Sequence, residues 1–323
     1  MNKQALSIVV LDGKRLNPGD NPWDEVARFG KLTVYDWSEP AEVADRANHA
    51  DIVLTNKSLI SRDTIEKLSA LKYISVLATG YNIVDIGAAR ERNIPVSNVP
   101  VYGTDSVAQY VFALLLEFTN RVSLHDASVK AGDWSKSGQW SYTLSLQTEL
   151  AGKTMAIIGF GRIGRRVGEL AHAFGMEVLA VDINRNNPPP YTPFAFVSLE
   201  EAFRRADVVS LNCALTPENT GMVNKGLLSL MKPSAFLINV ARGPLVKDAD
   251  LAEALNGGVL AGAALDVVSA EPIAPVNPLL RAKNCLITPH MAWATLEARR
   301  RLMKTTAENI AAFLDGKPIN VVN

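Results

Sequence analysis

Three side chains towards the C-terminus of this 323-residue chain are of types that act together. Arg242 lies in Asn239-Val240-Ala241-Arg242-Gly243, Glu271 in Asp266-Val267-Val268-Ser269-Ala270-Glu271-Pro272, and His290 closes Ile287-Thr288-Pro289-His290. Each stands at the edge of an apolar, strand-like run. An arginine fork holds a carboxylate through two parallel hydrogen bonds. An imidazole exchanges a proton near neutral pH, and a carboxylate beside it orients the ring and favours its charged form. Together these groups suit the movement of a hydride to or from the carbon next to a carboxylate. Singly, each has a plainer reading: a surface ion-pair arginine, a solvated loop glutamate, a structural histidine. The other histidines, His49, His125 and His172, fall before a strand or within helical patterns and read as surface or packing residues.

Upstream, Gly159-Phe160-Gly161-Arg162-Ile163-Gly164 follows the strand pattern Thr154–Ile158 and opens a helix through Val167, Leu170 and Ala171. Glycines in that position allow a tight turn, close approach to a pyrophosphate and close helix packing. Asp182 ends the next strand, where a carboxylate bonds the adenosine ribose hydroxyls of a dinucleotide. The same charge repels a 2′-phosphate and favours NAD, although Arg185 three residues on leaves NADP open. A methyltransferase also uses a glycine-rich turn and an acid on the next strand, but has no evident need of Arg242, Glu271 and His290.

The elements that must carry these groups read as parallel α/β. Strands are expected at Ser7–Leu11, Leu32–Tyr35, Ile52–Thr55, Tyr73–Leu77 and Ile94–Ser97, with Ser61 capping a short helix. Asn98-Val99-Pro100 breaks the pattern and marks a domain boundary. A long helix from about Asp105 is apolar on nearly every side, which predicts burial on more than one face. The stretch from Ala131 to Leu150 reads as a loop, with Trp134 and Trp140 serving as a pocket lid, a subunit contact or local packing. Strands resume at Thr154–Ile158, Glu177–Val181, Val208–Leu211, Ala235–Val240, Ala261–Val267 and Leu286–Thr288, forming a second, larger doubly wound unit. Leu296–Leu314 is a helix whose end suits Gly316.

The length favours two domains. Lys plus Arg and Asp plus Glu number 33 each, so no overall field draws nucleic acid or an anionic membrane, and a small anion must be held by local groups. Cys213 and Cys285 lie far apart in apolar contexts and read as reduced thiols of a cytoplasmic protein. The N-terminal apolar run is too short and too early for a signal peptide. No stretch approaches the roughly 20 apolar residues of a membrane span. No metal is expected, since no His, Cys or carboxylate spacing implies one.

In order and spacing, Gly159–Gly164, Ala235–Gly243, Ala264-Leu265-Asp266-Val267, Glu271-Pro272 and Thr288-Pro289-His290 resemble the D-2-hydroxyacid dehydrogenases, along the whole chain. Ala78-Thr79-Gly80-Tyr81-Asn82, Tyr102–Ser106 and His290–Thr295 are most similar to the glycerate dehydrogenases, also called hydroxypyruvate reductases. The resemblance implies two doubly wound parallel-sheet domains. A Rossmann NAD-binding domain, residues 101–291, is inserted into a smaller flavodoxin-like substrate domain made of residues 1–100 and 292–323. It also implies a cleft between domains, hinge closure and a homodimer.

On this resemblance Arg242 anchors the substrate carboxylate, His290 is the proton donor or acceptor and Glu271 its partner. Thr79, Gly80 and Tyr81 form a second carboxylate cradle, with Trp293 also facing substrate. Arg162 and Ile163 meet the pyrophosphate, while Thr104, Val240, Ala241, Arg242 and Asp266 lie along the nicotinamide side. Asp266 bonds the carboxamide there, unless it is a strand-end cap. The sequence departs from the family at Asn212 and Ala214, where His and Pro are common, and at Gln109, where an acid is frequent. The expected reaction is reduction of hydroxypyruvate, with glyoxylate second. The alternatives are a phosphoglycerate or lactate dehydrogenase, or a non-enzymatic NAD-sensing corepressor.

Overall fold

Short, mostly apolar runs give this chain its strands, and every named strand pair is parallel. The computed structural model describes residues 5–323, so Met1–Gln4 of the expected N-terminal lead lie outside the described residues. The chain divides into two compact units, one running to Gly103 and resuming at Trp293–Asn323, the other Thr104–Ala292.

Unit 1 contains β1 (Ser7–Val10), β2 (Lys31–Val34), β3 (Ile52–Thr55), β4 (Tyr73–Val76) and β5 (Val96–Ser97), in the sheet order β2-β1-β3-β4-β5. β3 and β4 are buried along their whole length, as central parallel strands covered on both faces must be. The Ser61 hydroxyl caps the helix Arg62–Lys67 by accepting from Thr64 N at 3.3 Å. The C-terminal helix, Leu296–Leu314, places Leu302, Met303 and Ile310 against Ile8, Ile52 and Tyr73. Tyr73 stacks on Phe313 at 4.4 Å. The chain then returns to the β5 edge, where Val322 N donates to Val96 O at 2.8 Å.

Unit 2 contains β6 (Thr154–Ile158), β7 (Glu177–Val181), β8 (Phe194–Phe196), β9 (Val208–Leu211), β10 (Phe236–Asn239), β11 (Gly262–Leu265) and β12 (Cys285–Ile287). Their order is β12-β11-β10-β9-β6-β7-β8, the doubly wound arrangement with its reversal between β6 and β9. The helix Thr104–Asn120 buries Val107, Ala108, Val111, Phe112, Leu114, Leu115 and Phe118, in keeping with its apolar circumference.

Several strands stop a residue or two short of their apolar runs. β8 is absent from the sequence expectation. It has three residues, follows a proline-rich stretch and, among the described residues, pairs only with β7. The expected loop after Ala131 also contains a helix, Asp133–Ser137, bracketed by the left-handed glycines Gly132 and Gly138. Trp134 and Trp140 are exposed, Trp140 at 91%. Among the described residues, no helix is long and apolar enough to cross a membrane.

Candidate active site

The C-terminal ends of β10, β11 and β12 lie side by side and carry, in turn, Arg242, the Asp266–Glu271 loop and His290. His290 Nδ1 is 2.6 Å from Glu271 Oε2. A carboxylate only accepts, so the ring donates from Nδ1, which leaves Nε2 as the nitrogen open to proton exchange. Glu271 Oε1 accepts a longer contact, 3.4 Å, from Val268 N.

The turn holding His290 is tightly prescribed. His290 adopts φ +52°, an uncommon left-handed backbone for a residue other than glycine. Its N–H donates to Asp266 O at 2.8 Å. The Asp266 carboxylate, only 1% exposed, accepts from Thr288 Oγ1 at 2.7 Å, Met291 N at 2.9 Å and Ala292 N at 2.8 Å. Burial pushes this carboxyl up, against the pull of those three donors. Ser106 Oγ, near the start of the helix Thr104–Asn120, donates to Ala292 O at 2.6 Å and fixes the far side of the turn. Asp266 thus organises the His290 turn, as the strand-end reading allows, with three acceptor positions spent on its own chain.

Arg242 is placed by a side chain that motif reading overlooked. Asn239 is fully buried; its Oδ1 accepts from Ala241 N at 3.0 Å and its Nδ2 donates to Arg242 O at 2.9 Å. Gly243 brings this turn against the neighbouring loop, since a Cβ there would stand 1.7 Å from Val268 O. The Arg242 guanidinium donates to Ala241 O at 2.7 Å, and no carboxylate lies within ion-pair distance of it among the described residues. The plain surface ion-pair reading therefore has no partner to support it.

The glycine turn fits a dinucleotide. A Cβ on Gly159, φ +93°, would lie 2.5 Å from Cys213 N, and one on Gly164 would lie 2.1 Å from Gly159 O. Gly161 is the N-cap of the helix Arg162–Ala173 and caps it with no side chain, and a helix N-terminus is a position that suits an anion. Asp182 Oδ2 accepts from Phe160 N at 2.6 Å and Oδ1 from Asn184 N at 2.9 Å, so the acid ending β7 also clamps the turn. Arg185 is folded back onto backbone carbonyls, Asp182 O at 3.4 Å and Val197 O at 3.1 Å. Val240 and Ala241 follow β10, and Thr104 begins its helix in the same unit.

Thr79, Gly80 and Tyr81 belong to unit 1 and follow β4. Thr79 Oγ1 donates to Val99 O at 2.9 Å, and Asn98 Nδ2 donates to Thr79 O at 2.7 Å. Trp293, also in unit 1, packs edge-on to Tyr102 at 6.2 Å. Among the described residues no His, Cys, Asp and Glu cluster is arranged to hold a metal.

Residues 112–292, more than half the chain, match the family model described as D-isomer specific 2-hydroxyacid dehydrogenase, NAD binding domain. The chain belongs to the D-isomer specific 2-hydroxyacid dehydrogenase family. It is 46% identical to a hydroxypyruvate reductase of Blautia hydrogenotrophica, over 98% of this chain and 100% of that one. A glycerate dehydrogenase of Methylorubrum extorquens is 39% identical over 88% of each chain. A D-lactate dehydrogenase from Aquifex aeolicus, solved with NAD and lactic acid, aligns with a TM-score of 0.82 at 26% identity, covering 98% of this chain and 100% of that one. As a 2-hydroxyacid dehydrogenase of this family the protein is an NAD-linked oxidoreductase.

Proposed function

We propose that this dehydrogenase reduces hydroxypyruvate to D-glycerate, and glyoxylate less specifically, with unit 2 as the cofactor domain and unit 1 as the substrate domain. The observation that carries this reading is the 2.6 Å His290–Glu271 bond, beside an Arg242 turn that Gly243 presses onto the Glu271 loop. Arg242 holds the substrate carboxylate and polarises the neighbouring carbonyl oxygen. Protonated His290 gives the Nε2 proton to that oxygen in reduction; in oxidation the neutral ring takes it back. Glu271 keeps Nδ1 protonated and the ring aligned. Bound NADH supplies the hydride that the substrate C2 accepts. The backbone amides of Thr79, Gly80 and Tyr81 supply further donors to the carboxylate, and Trp293 lines the substrate.

Gly159, Gly161, Arg162, Ile163 and Gly164 cradle the pyrophosphate, and Asp182 takes the ribose hydroxyls. Thr104, Val240, Ala241 and the remaining acceptor capacity of Asp266 serve the nicotinamide end. The folded-back Arg185 and the charge of Asp182 favour NADH over NADPH. The exposed apolar set Val122, Trp134, Trp140 and Leu146 supports a homodimer, and we place the protein in the cytoplasm.

The test is NADH consumption across a panel of 2-oxo acids, repeated with NADPH. Fastest consumption with hydroxypyruvate and NADH bears the proposal out. Nucleotide binding with no consumption of any 2-oxo acid would sink it and leave a nucleotide sensor.

A further inference from the structure

Pro188-Pro189-Pro190, between β7 and β8, belongs to no part of the proposed active site. Within unit 2 these prolines close one side of a cavity of about 400 Å³, whose other lining residues are Arg165, Glu169, Asn187 and Tyr191. That volume is in the range of small-molecule sites. The Tyr191 ring stacks on His172 at 4.8 Å and meets Phe194 edge-on at 6.1 Å. Its hydroxyl fills the notch left by Gly168, where a Cβ would stand 2.2 Å from it. This hydroxyl is buried and has no hydrogen-bond partner among the described residues. Burial pushes it up to about 12, so at neutral pH it keeps its proton. A buried polar atom without a partner calls for a cause, such as a group that completes the site.

Arg165 and Glu169 are four residues apart on the helix Arg162–Ala173, the spacing at which opposite charges pair along a helix face. They do not pair with each other. Glu169 takes Arg166 at 2.7 Å, while the Arg165 guanidinium lies over the Phe160 ring at 4.9 Å, with no carboxylate in ion-pair distance among the described residues. Both charges act on the Tyr191 hydroxyl, in opposite senses, so both face the same small volume. The cavity therefore offers a guanidinium fork and a carboxylate about one helical turn, roughly 6 Å, apart. Its proline wall has no N–H to donate, so the backbone there presents acceptors and the rings an apolar surface.

We propose that this cavity is a second ligand site, for a zwitterionic α-amino acid with an apolar side chain. Arg165 holds the carboxylate through its fork, Glu169 takes the ammonium, and Pro188–Pro190 with the Tyr191 ring cover the side chain. An ammonium and a carboxylate on one carbon bridge the two unpaired-with-each-other charges, which a simple anion or cation does not. Glu169 also disfavours phosphates and dicarboxylates, because a like charge at the site repels them. The site is separate from the catalytic loops and independent of which 2-oxo acid is reduced.

Calorimetric titration of the full-length protein with L-phenylalanine, 3-phenylpropanoate, phenethylamine and glycine tests this. The last three lack, in turn, the ammonium, the carboxylate and the side chain. L-Phenylalanine should bind saturably, and each of the others at least about tenfold more weakly, the lower range for a lost hydrogen bond to a charged group or a lost apolar side chain. Arg165→Met and Glu169→Gln should each weaken L-phenylalanine by a similar factor. Turnover of NADH should stay within about twofold in both, as for substitutions away from the core, and either variant decides the matter should the other fail to fold. Unchanged affinity in a folded variant, or equal binding of 3-phenylpropanoate, puts the compound elsewhere, such as at Arg242, and overturns the proposal. Absence of saturable binding by L-phenylalanine overturns it as well.

Discussion

Glu271 Oε2 and His290 Nδ1 are 2.6 Å apart, although they belong to different loops of unit 2. The pair directs the exchangeable proton to Nε2 and fixes the plane of the ring. His290→Ala should lower turnover at least about a hundredfold, the lower range for a lost general acid. His290→Asn is the useful control, because asparagine tolerates the left-handed backbone at this position. Similar losses in both variants, with unchanged melting of the Asn form, assign the defect to chemistry; near-normal turnover in either removes His290 from the reaction.

Arg242→Lys should raise KM for the 2-oxo acid strongly, because a point charge does not reproduce a two-point fork. Saturation curves with hydroxypyruvate check it, and an unchanged KM counts against Arg242 as the anchor.

Gly243→Ala forces a methyl group into the Val268 carbonyl, which lies 1.7 Å from the added Cβ position. The two loops must part, at a cost of about 1–3 kcal/mol typical of overpacking. Urea unfolding measures that cost, and activity should fall by more than the lost folded fraction because Arg242 moves with the turn.

Acid stability reports on a different contact. The Arg299 guanidinium, hydrogen-bonded to Asp20 at 2.5 and 2.8 Å, holds the Asp20 carboxyl below its ordinary value. A depressed carboxyl stabilises the fold above its unfolded value, about 3.9, and loses that contribution as pH falls through the lower folded value. Asp20→Asn should therefore melt earlier than the unaltered protein at neutral pH. The two curves should converge in the acid range below the unfolded value, and a constant gap across that range would contradict the ion pair.

What was legible in the sequence is what lies close together along it. Gly159–Gly164 followed by Asp182 predicts a strand, turn and helix, because each glycine's constraint is local, and β6, β7 and β9 have the expected limits. Arg242, Glu271 and His290 were visible as chemical types. The groups that position them were not. Asn239 reads as one more strand residue until its side chain is seen bridging Ala241 and Arg242. Gly243 is explained only by Val268 on the next loop. In unit 1, Asp12 accepts from the amides of Asn56, Lys57 and Ser58, 44 to 46 residues away, a separation that no local pattern encodes. β8 was hidden because three residues beside a run of prolines offer too little periodicity.

β12 has three residues and forms an outer edge of the unit 2 sheet, paired among the described residues only with β11. The glycine turn sits at the opposite, interior position, at the end of β6 between β7 and β9. Edge elements open at lower free energy than central ones. Mild heat or denaturant should accordingly release His290 first, producing a population that still captures nucleotide and yet turns nothing over, so loss of activity precedes loss of cofactor affinity.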